Sequence, residues 1–277
     1  MTPNQYCQKK AVASGSSFYY SFLFLAAERR RAITALYAFC REVDDVVDEC
    51  SDAQLARTKL AWWRLEVGKL FEGKPSHPVT NALRPCIEKF QIKAEHLNEI
   101  IDGMEMDLTQ TRYLDFAGLE RYCYHVAGAV GLLAAGIFGY RDPRTLDYAK
   151  NLGTAFQLTN IIRDVGEDAR KNRIYLPMDE LQRFEVPAAD LLQAKYSENF
   201  RKLMEFQTRR AEYYYDKAMQ SLPAEDRRTQ RSGLIMAAIY RATLAEVERD
   251  GFKVLTQRTS LTPLRKLWLA WKTWVTA

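Results

Sequence analysis

Two groups of polar residues carry most of the chemistry available to this chain. The first is Tyr37-x₃-Arg41-x₂-Asp44-Asp45-x₂-Asp48. At 3.6 residues per turn, positions 37, 41, 44 and 48 fall on one helix face. Carboxylates spaced i and i+4 repel each other by roughly 0.2–0.5 kcal/mol unless a cation lies between them. Mg²⁺ takes hard oxygen ligands and usually combines carboxylates with substrate phosphates. The second group is Gln157-x₂-Asn160-x₂-Arg163-Asp164-x₂-Glu167-Asp168. Positions 157, 160, 164 and 168 step by three, four and four, again lining one face. Oxygen donors of several kinds beside an arginine suited to a diphosphate make a second metal–phosphate half-site.

For the first group alone, a solvated acidic face is an equally open reading, since charge runs usually face water. Its neighbours count against that. The acids sit among Tyr37, Phe39, Val43, Val46 and Val47, on a helix that should be buried, where unpaired carboxylates are costly. Two such faces on separate apolar helices, facing across a bundle, could hold a diphosphate through bridging Mg²⁺.

The elements that must position these faces are helical. Ile33, Leu36, Tyr37, Cys40, Val43 and Val47 recur at spacings of three and four, predicting a helix from Arg29 to Cys50. Further helices are expected over Asp52–Phe71, stopped by Gly73 and Pro75, and over His77–Phe90, Ala94–Leu108 and Phe116–Phe138. Arg144 to about Asp168 follows. A loop carries Lys171 to Pro177, and long helices over Tyr196–Ser221, Arg227–Lys253 and Pro263–Trp274 complete the chain. Strand-like alternation is nearly absent and no solenoid repeat is visible. The expected architecture is an all-α, single-domain bundle spanning residues 1–277.

Composition bounds the rest. The 277 residues are 47% hydrophobic, with no Gly/Ser- or Pro-rich linker, so one large core is expected. The net charge of +5 is spread among acids, and no nucleic-acid stripe is present. Five cysteines without a CxxC pair exclude a zinc site or disulfide framework and fit a reducing cytosol. Lys9-Lys10 precede an apolar run from Phe18 to Ala27, but polar residues interrupt it and Glu28-Arg29-Arg30-Arg31 follow, so a cleaved signal is not expected. The longest apolar run, Val126–Gly139, is too short to span ~30 Å of hydrocarbon.

Long motifs in fixed order show that the chain resembles the squalene/phytoene synthase family of head-to-head prenyltransferases. They are Ser14-x-Ser16-Ser17-Phe18-Tyr19, Tyr37-Ala38-Phe39-Cys40-Arg41-x-Val43-Asp44-Asp45-x₂-Asp48 and Gly103-Met104-x₂-Asp107-Leu108. Tyr122-Cys123-Tyr124-x-Val126-Ala127-Gly128-x-Val130-Gly131, the Gln157–Asp168 segment, Arg173-x-Tyr175-Leu176-Pro177 and Tyr240-Arg241 follow. The resemblance implies an isoprenoid-synthase helical bundle with a central cavity. Asp44 and Asp48 would bind Mg²⁺, or Mn²⁺, at one wall, and Asn160, Asp164 and Asp168 at the other. Arg41, Gln157 and Arg163 would contact diphosphate. Tyr37, Tyr122 and Tyr240 would line the site, with Tyr122 among the catalytic residues, and Ser14, Ser16, Ser17 and Phe18 would touch substrate. Many members carry a basic residue where this chain has Ser16, a departure at that point.

By the same resemblance, ionisation of one prenyl diphosphate gives an allylic cation, which the double bond of a second attacks. Proton loss then closes a cyclopropane. The Ser14–Tyr20 opening and the Leu264-Arg265-Lys266-Leu267-Trp268 ending resemble bacterial presqualene diphosphate synthases. Two farnesyl diphosphates giving presqualene diphosphate, without NADPH, is therefore the expected reaction. Phytoene synthesis from two geranylgeranyl diphosphates, or dehydrosqualene or squalene synthesis, is the alternative. Some helical relatives serve as non-catalytic assembly factors, but that reading predicts eroded acids, and both sets here are intact. Implied partners are prenyl diphosphates and downstream enzymes of the same pathway.

Other features keep two readings. Gly128, Gly131, Ala135 and Gly139 permit close helix packing, and in the family this helix also lines the isoprenoid channel. No histidine has Glu three positions before it, which excludes the Glu-x-x-His of di-iron bundles. Asp102 and Asp107 are either acids behind the site or part of a solvated face. Leu264, Leu267, Trp268, Trp271, Trp274 and Val275 form an apolar stripe flanked by Arg265, Lys266 and Lys272. It suits peripheral contact with the inner membrane of a cytoplasmic protein, or the last helix of the bundle, equally well.

Overall fold

A computed structural model describes residues 1–13, 18–50 and 52–277, and of Tyr19 the backbone alone. Ser14, Ser16 and Ser17 lie outside the described residues. The chain is all-α. Beyond the helices, the described residues hold one isolated bridge, between Arg112 and Ile174.

Helix α1 (Pro3–Ala13) packs Cys7 and Ala11 inward, and α2 (Phe18–Phe22) is a short turn of helix. The 23-residue α3 (Ala27–Glu49) runs unbroken, burying Ile33, Leu36, Phe39, Val43 and Val47, as the three/four spacing predicts. Asp52 caps α4 (Ala53–Phe71) by accepting from the amides of Gln54 and Leu55, and Gly73 at φ +78° ends the turn beyond it.

The expected helix His77–Phe90 is broken. Only Pro78–Leu83 (α5) is α-helical, followed by a 3₁₀ turn over Arg84–Cys86. Pro85 has no amide hydrogen to donate, and the chain tightens there. Buried Glu66 ties this corner down, accepting from the amides of Ser76 and His77 and from the hydroxyls of Ser76 and Thr80.

Helix α6 (Ala94–Thr109) leads to α7 (Phe116–Cys123). The expected helix Phe116–Phe138 is continuous in direction but contains a π segment, Tyr124–Gly128, before α8 (Ala129–Phe138). Against these lies α9 (Arg144–Arg170), the 27-residue axis of the molecule. The small residues act by contact. A Cβ added at Gly153 would sit 2.4 Å from the Ala127 carbonyl oxygen, and one at Gly131 2.4 Å from that of Ala149. The backbones therefore touch, and Ala127, Val130, Gly131, Ala134 and Ala135 line the central cavity as well. Close packing and lining of the cavity are thus met in one helix.

The short α10 (Met178–Arg183) and α11 (Ala188–Leu192) precede α12 (Glu198–Ser221), α13 (Arg231–Arg249) and α14 (Pro263–Thr276). Helices α12 and α13 pack on α9, and α14 on α13 and α2. The buried apolar residues form two clusters. One is built mainly from α3, α4, α6 and α8, the other mainly from α9, α12 and α13, and Phe18 and Val126 pack against both.

Candidate active site

A cavity of about 400 Å³ opens between α3 and α9. Asp44 and Asp48 from α3 face Asn160, Asp164 and Asp168 from α9 across its polar end, with Arg41, Gln157 and Arg163 beside them. The rest is apolar, lined among others by Phe22, Leu36, Ala134, Phe138 and Leu152. Phe18, Tyr37 and Tyr122 are on the wall, as expected. Tyr240 is not. It lies behind Phe156 and Phe18, ring centroids 4.8 and 6.2 Å away, and hydrogen-bonds Arg163. Its place on α13 puts a layer of aromatic rings between it and the cavity.

The acids are not interchangeable. Asp45 is absent from the cavity wall and is held by Arg41 at 2.5 Å and Lys10 at 2.7 Å. Asp44 pairs with Arg41 at 2.5 Å, and Asp48 with Arg173 and Lys171 at 3.2 and 3.4 Å. Asp164 takes two hydrogen bonds from Arg163 and two from Arg258. Among the described residues no three acid, histidine or cysteine side chains converge on one point. Cations occupy the acids instead. The donor set nevertheless suits a hard divalent ion: the Asn160 side-chain oxygen is buried with no hydrogen-bond partner, on the α9 wall that also carries Asp164 and Asp168.

Two contacts carry no signal in the sequence, Lys171 on Asp48 and Arg258 on Asp164, while Arg173 and Asp107 stand in the quoted motifs without their partners being legible there. Lys171 and Arg173 are carried over Asp48 by a loop tied down where the Ile174 amide donates to the Thr111 carbonyl and Arg112 to that of Asn172. Arg258 reaches Asp164 because Gly166 lets the Val254–Leu255 backbone lie directly on α9. Asp107 is largely buried on the cavity wall and accepts from the Tyr122 and Tyr175 hydroxyls at 2.9 and 2.8 Å, whereas half-exposed Asp102 pairs with Arg64. Lys171 and Arg258 have no spacing that marks them, and each is brought in by loop or tertiary contact.

Burial raises the Asp44 carboxyl to about 6, against the pull of Arg41 and with repulsion from Asp48 and Asp107. Burial and the charges of Asp164 and Glu167 raise Asp168 to about 7. Burial likewise lifts Asp107 to about 6, despite its tyrosine hydrogen bonds. Burial works the same way on Asp164, but Arg163 and Arg258 win and hold it below the usual range. In the unfolded chain all these acids ionise near pH 4. With raised values the folded state binds more protons between about pH 4 and 7, so it is most stable at the acid end and loses stability as pH rises. Half-buried His77, held below its usual value by desolvation, opposes this weakly. In chelator, stability is expected to fall by ~1–3 kcal/mol between pH 5 and 8, read as a lower Tm. A Tm that climbed over that range would contradict the burial of these carboxylates.

The squalene/phytoene synthase family model matches residues 11–265. A phytoene synthase of Arthrospira platensis is 35% identical over 274 residues, covering 94% of this chain and 89% of that protein. The chloroplastic phytoene synthase 1 of Arabidopsis thaliana is 32% identical, and the match spans 63% of its length. A dehydrosqualene synthase crystallised with a ligand superposes with a TM-score of 0.88 at 30% identity, covering 98% of this chain and 95% of that one. A squalene synthase from Alicyclobacillus acidocaldarius gives 0.81 at 25% identity, covering 90% and 94%. Sequence and fold agree along nearly the whole chain, which belongs to the squalene/phytoene synthase family of prenyltransferases.

Proposed function

We propose that this chain joins two prenyl diphosphates head to head, in a divalent-metal-dependent reaction, within the cavity between α3 and α9. One observation carries the reading: two acidic helix faces, studded with arginines and lysines, stand at the polar end of a long apolar cavity. Asp44 and Asp48 on one side, and Asn160, Asp164 and Asp168 on the other, would hold Mg²⁺. The metal supplies Lewis-acid neutralisation of charge on the leaving diphosphate. Arg41, Arg163, Lys171, Arg173 and Arg258 now pair with the acids; with those acids engaged, they are placed to take diphosphate oxygens. Phe18, Tyr37 and Phe156 exclude water that would quench a carbocation. Tyr122 presents its hydroxyl to Asp107, a pair that can hold and move a proton at the wall.

The phytoene synthases among its relatives favour two geranylgeranyl diphosphates giving phytoene over the farnesyl reading. Presqualene diphosphate from two farnesyl diphosphates keeps support from the likeness to solved dehydrosqualene and squalene synthases, whose names denote skeletons built of two fifteen-carbon chains.

Purified protein given Mg²⁺ and labelled farnesyl or geranylgeranyl diphosphate, with and without NADPH, decides between them. Phytoene from the twenty-carbon substrate alone is the expected product. A cyclopropyl diphosphate made only from the fifteen-carbon substrate would replace it with the second reading. Turnover of neither would sink both and favour a non-catalytic assembly role. Chelation should abolish turnover and Mg²⁺ or Mn²⁺ restore it; an unchanged rate in chelator would remove the metal assignment.

A further inference from the structure

Helix α14 is built inside out. Its residues Leu264, Leu267, Trp268, Trp271, Trp274 and Val275 are all exposed, from 39% at Trp274 to 79% at Leu264. They fall at spacings of three and four and so form one stripe. The face turned to α13 is the plainer one, with Ala270 the helix's buried residue. A helix whose purpose was to close the bundle would place its tryptophans the other way round.

The stripe continues onto the neighbouring segment. Exposed Phe24, just after α2, stacks on Trp274 with ring centroids 5.4 Å apart, and exposed Leu23 adjoins it. Contiguous apolar surface of this kind marks a contact site. Its charge selects the partner. No acidic residue occurs in α14. Lys272 lies over the Trp268 ring, Arg231 over that of Trp274, and Lys266 over that of Tyr20. Arg265 is neutralised by Glu246 and adds little. Exposed tryptophans beside unpaired cations suit a lipid headgroup layer, where an amphipathic ring sits at the boundary and the basic groups meet anionic lipid.

The surface also adjoins the cavity. Helix α2 lines that cavity with Phe18, Ser21 and Phe22, while the turn that follows it carries Leu23 and Phe24 onto the stripe. We propose that α14 and the end of α2 form an interfacial docking surface that seats the protein on an anionic bilayer, with the wall of the cavity beside the membrane. The surface is argued from α14 itself; only its use, passing an oily product into lipid, rests on the prenyl-transfer reading.

The test is flotation of the full chain, without substrate, on vesicles of phosphatidylcholine alone or with phosphatidylglycerol. Binding is expected to the anionic vesicles, to fall with salt, and to weaken about ten-fold or more in the Trp268→Glu/Trp271→Glu double variant at unchanged Tm. Lys272→Glu, which leaves the apolar stripe intact, should weaken binding by about five-fold. The proposal is overturned if wild type fails to float, if both variants float like wild type, or if the double variant instead dissociates a dimer seen by sedimentation, which would make the stripe a contact between copies. Flotation without substrate and prenyl transfer in solution are separate measurements, so failure of one leaves the other standing.

Discussion

Asp164→Asn is expected to lower kcat by about 10²–10³-fold while the helical fold survives, checked by turnover beside circular dichroism and Tm. The side chain keeps its shape and loses its charge. Four hydrogen bonds from Arg163 and Arg258 converge on the carboxylate, and together with Asn160 and Asp168 it makes the α9 wall of the site. The asparagine leaves Arg163, largely buried, with a poorer partner, which costs about 1–3 kcal/mol, well short of unfolding a protein of this size. Asp48→Asn should behave alike from the opposite wall. Asp45→Asn is the control: adjacent to Asp44 in sequence, it faces Lys10 and Arg41 away from the cavity, and a loss of no more than about ten-fold is expected. Wild-type rates in both Asp164→Asn and Asp48→Asn would overturn the assignment of the acidic faces.

Gly166→Ala and Gly153→Ala should be the most destabilising of the conservative changes. An alanine mid-helix ordinarily gains about 1 kcal/mol over glycine. Here the new methyl would lie 2.2 Å from the Leu255 carbonyl oxygen at position 166 and 2.4 Å from that of Ala127 at position 153. Backbone cannot swing aside as a side-chain tip can, so the helices must separate, at a net cost of about 2–3 kcal/mol. For a chain of this length that lowers Tm by roughly 5–10 °C. The two differ in a second respect. Gly166→Ala pushes away the segment leading to Arg258 and should also raise KM for the diphosphate substrate. A Tm within about 1 °C of wild type in both variants would show that the close approaches are not tight.

These two sites mark what sequence can and cannot reveal. Both acidic faces were legible because α3 and α9 are long and unbroken, and a helical period converts spacing directly into a face. Asp45 obeys the same rule: the rotation of one residue, about 100°, sets it off the face of positions 37, 41, 44 and 48 and out of the cavity. Tyr240 stands one aromatic layer behind the wall, against Phe156 and Phe18, a depth that a motif does not carry. Arg258, Lys171 and Arg173 reach the acids through loops, whose paths depend on contacts such as Gly166 on Leu255 and Ile174 on Thr111 that no periodicity encodes. The break at Pro85 and the π segment at Tyr124–Gly128 likewise interrupt runs that read as single helices. Ser14, Ser16 and Ser17, expected to touch substrate, lie outside the described residues.

The two hydrophobic clusters, which touch where α8 lies on α9, also flank a hollow, with Phe18 and Val126 packed against both. In thermodynamic terms the hollow is unfilled core. An apolar chain that entered it would bury its own surface and that of both walls at about 25 cal/mol per Å². Whatever occupies the cavity thereby joins the folding equilibrium, since ligand held by the native state alone adds its binding free energy to stability. The same walls that would hide a carbocation from water would thus make this protein's melting temperature a gauge of whatever apolar chain they hold.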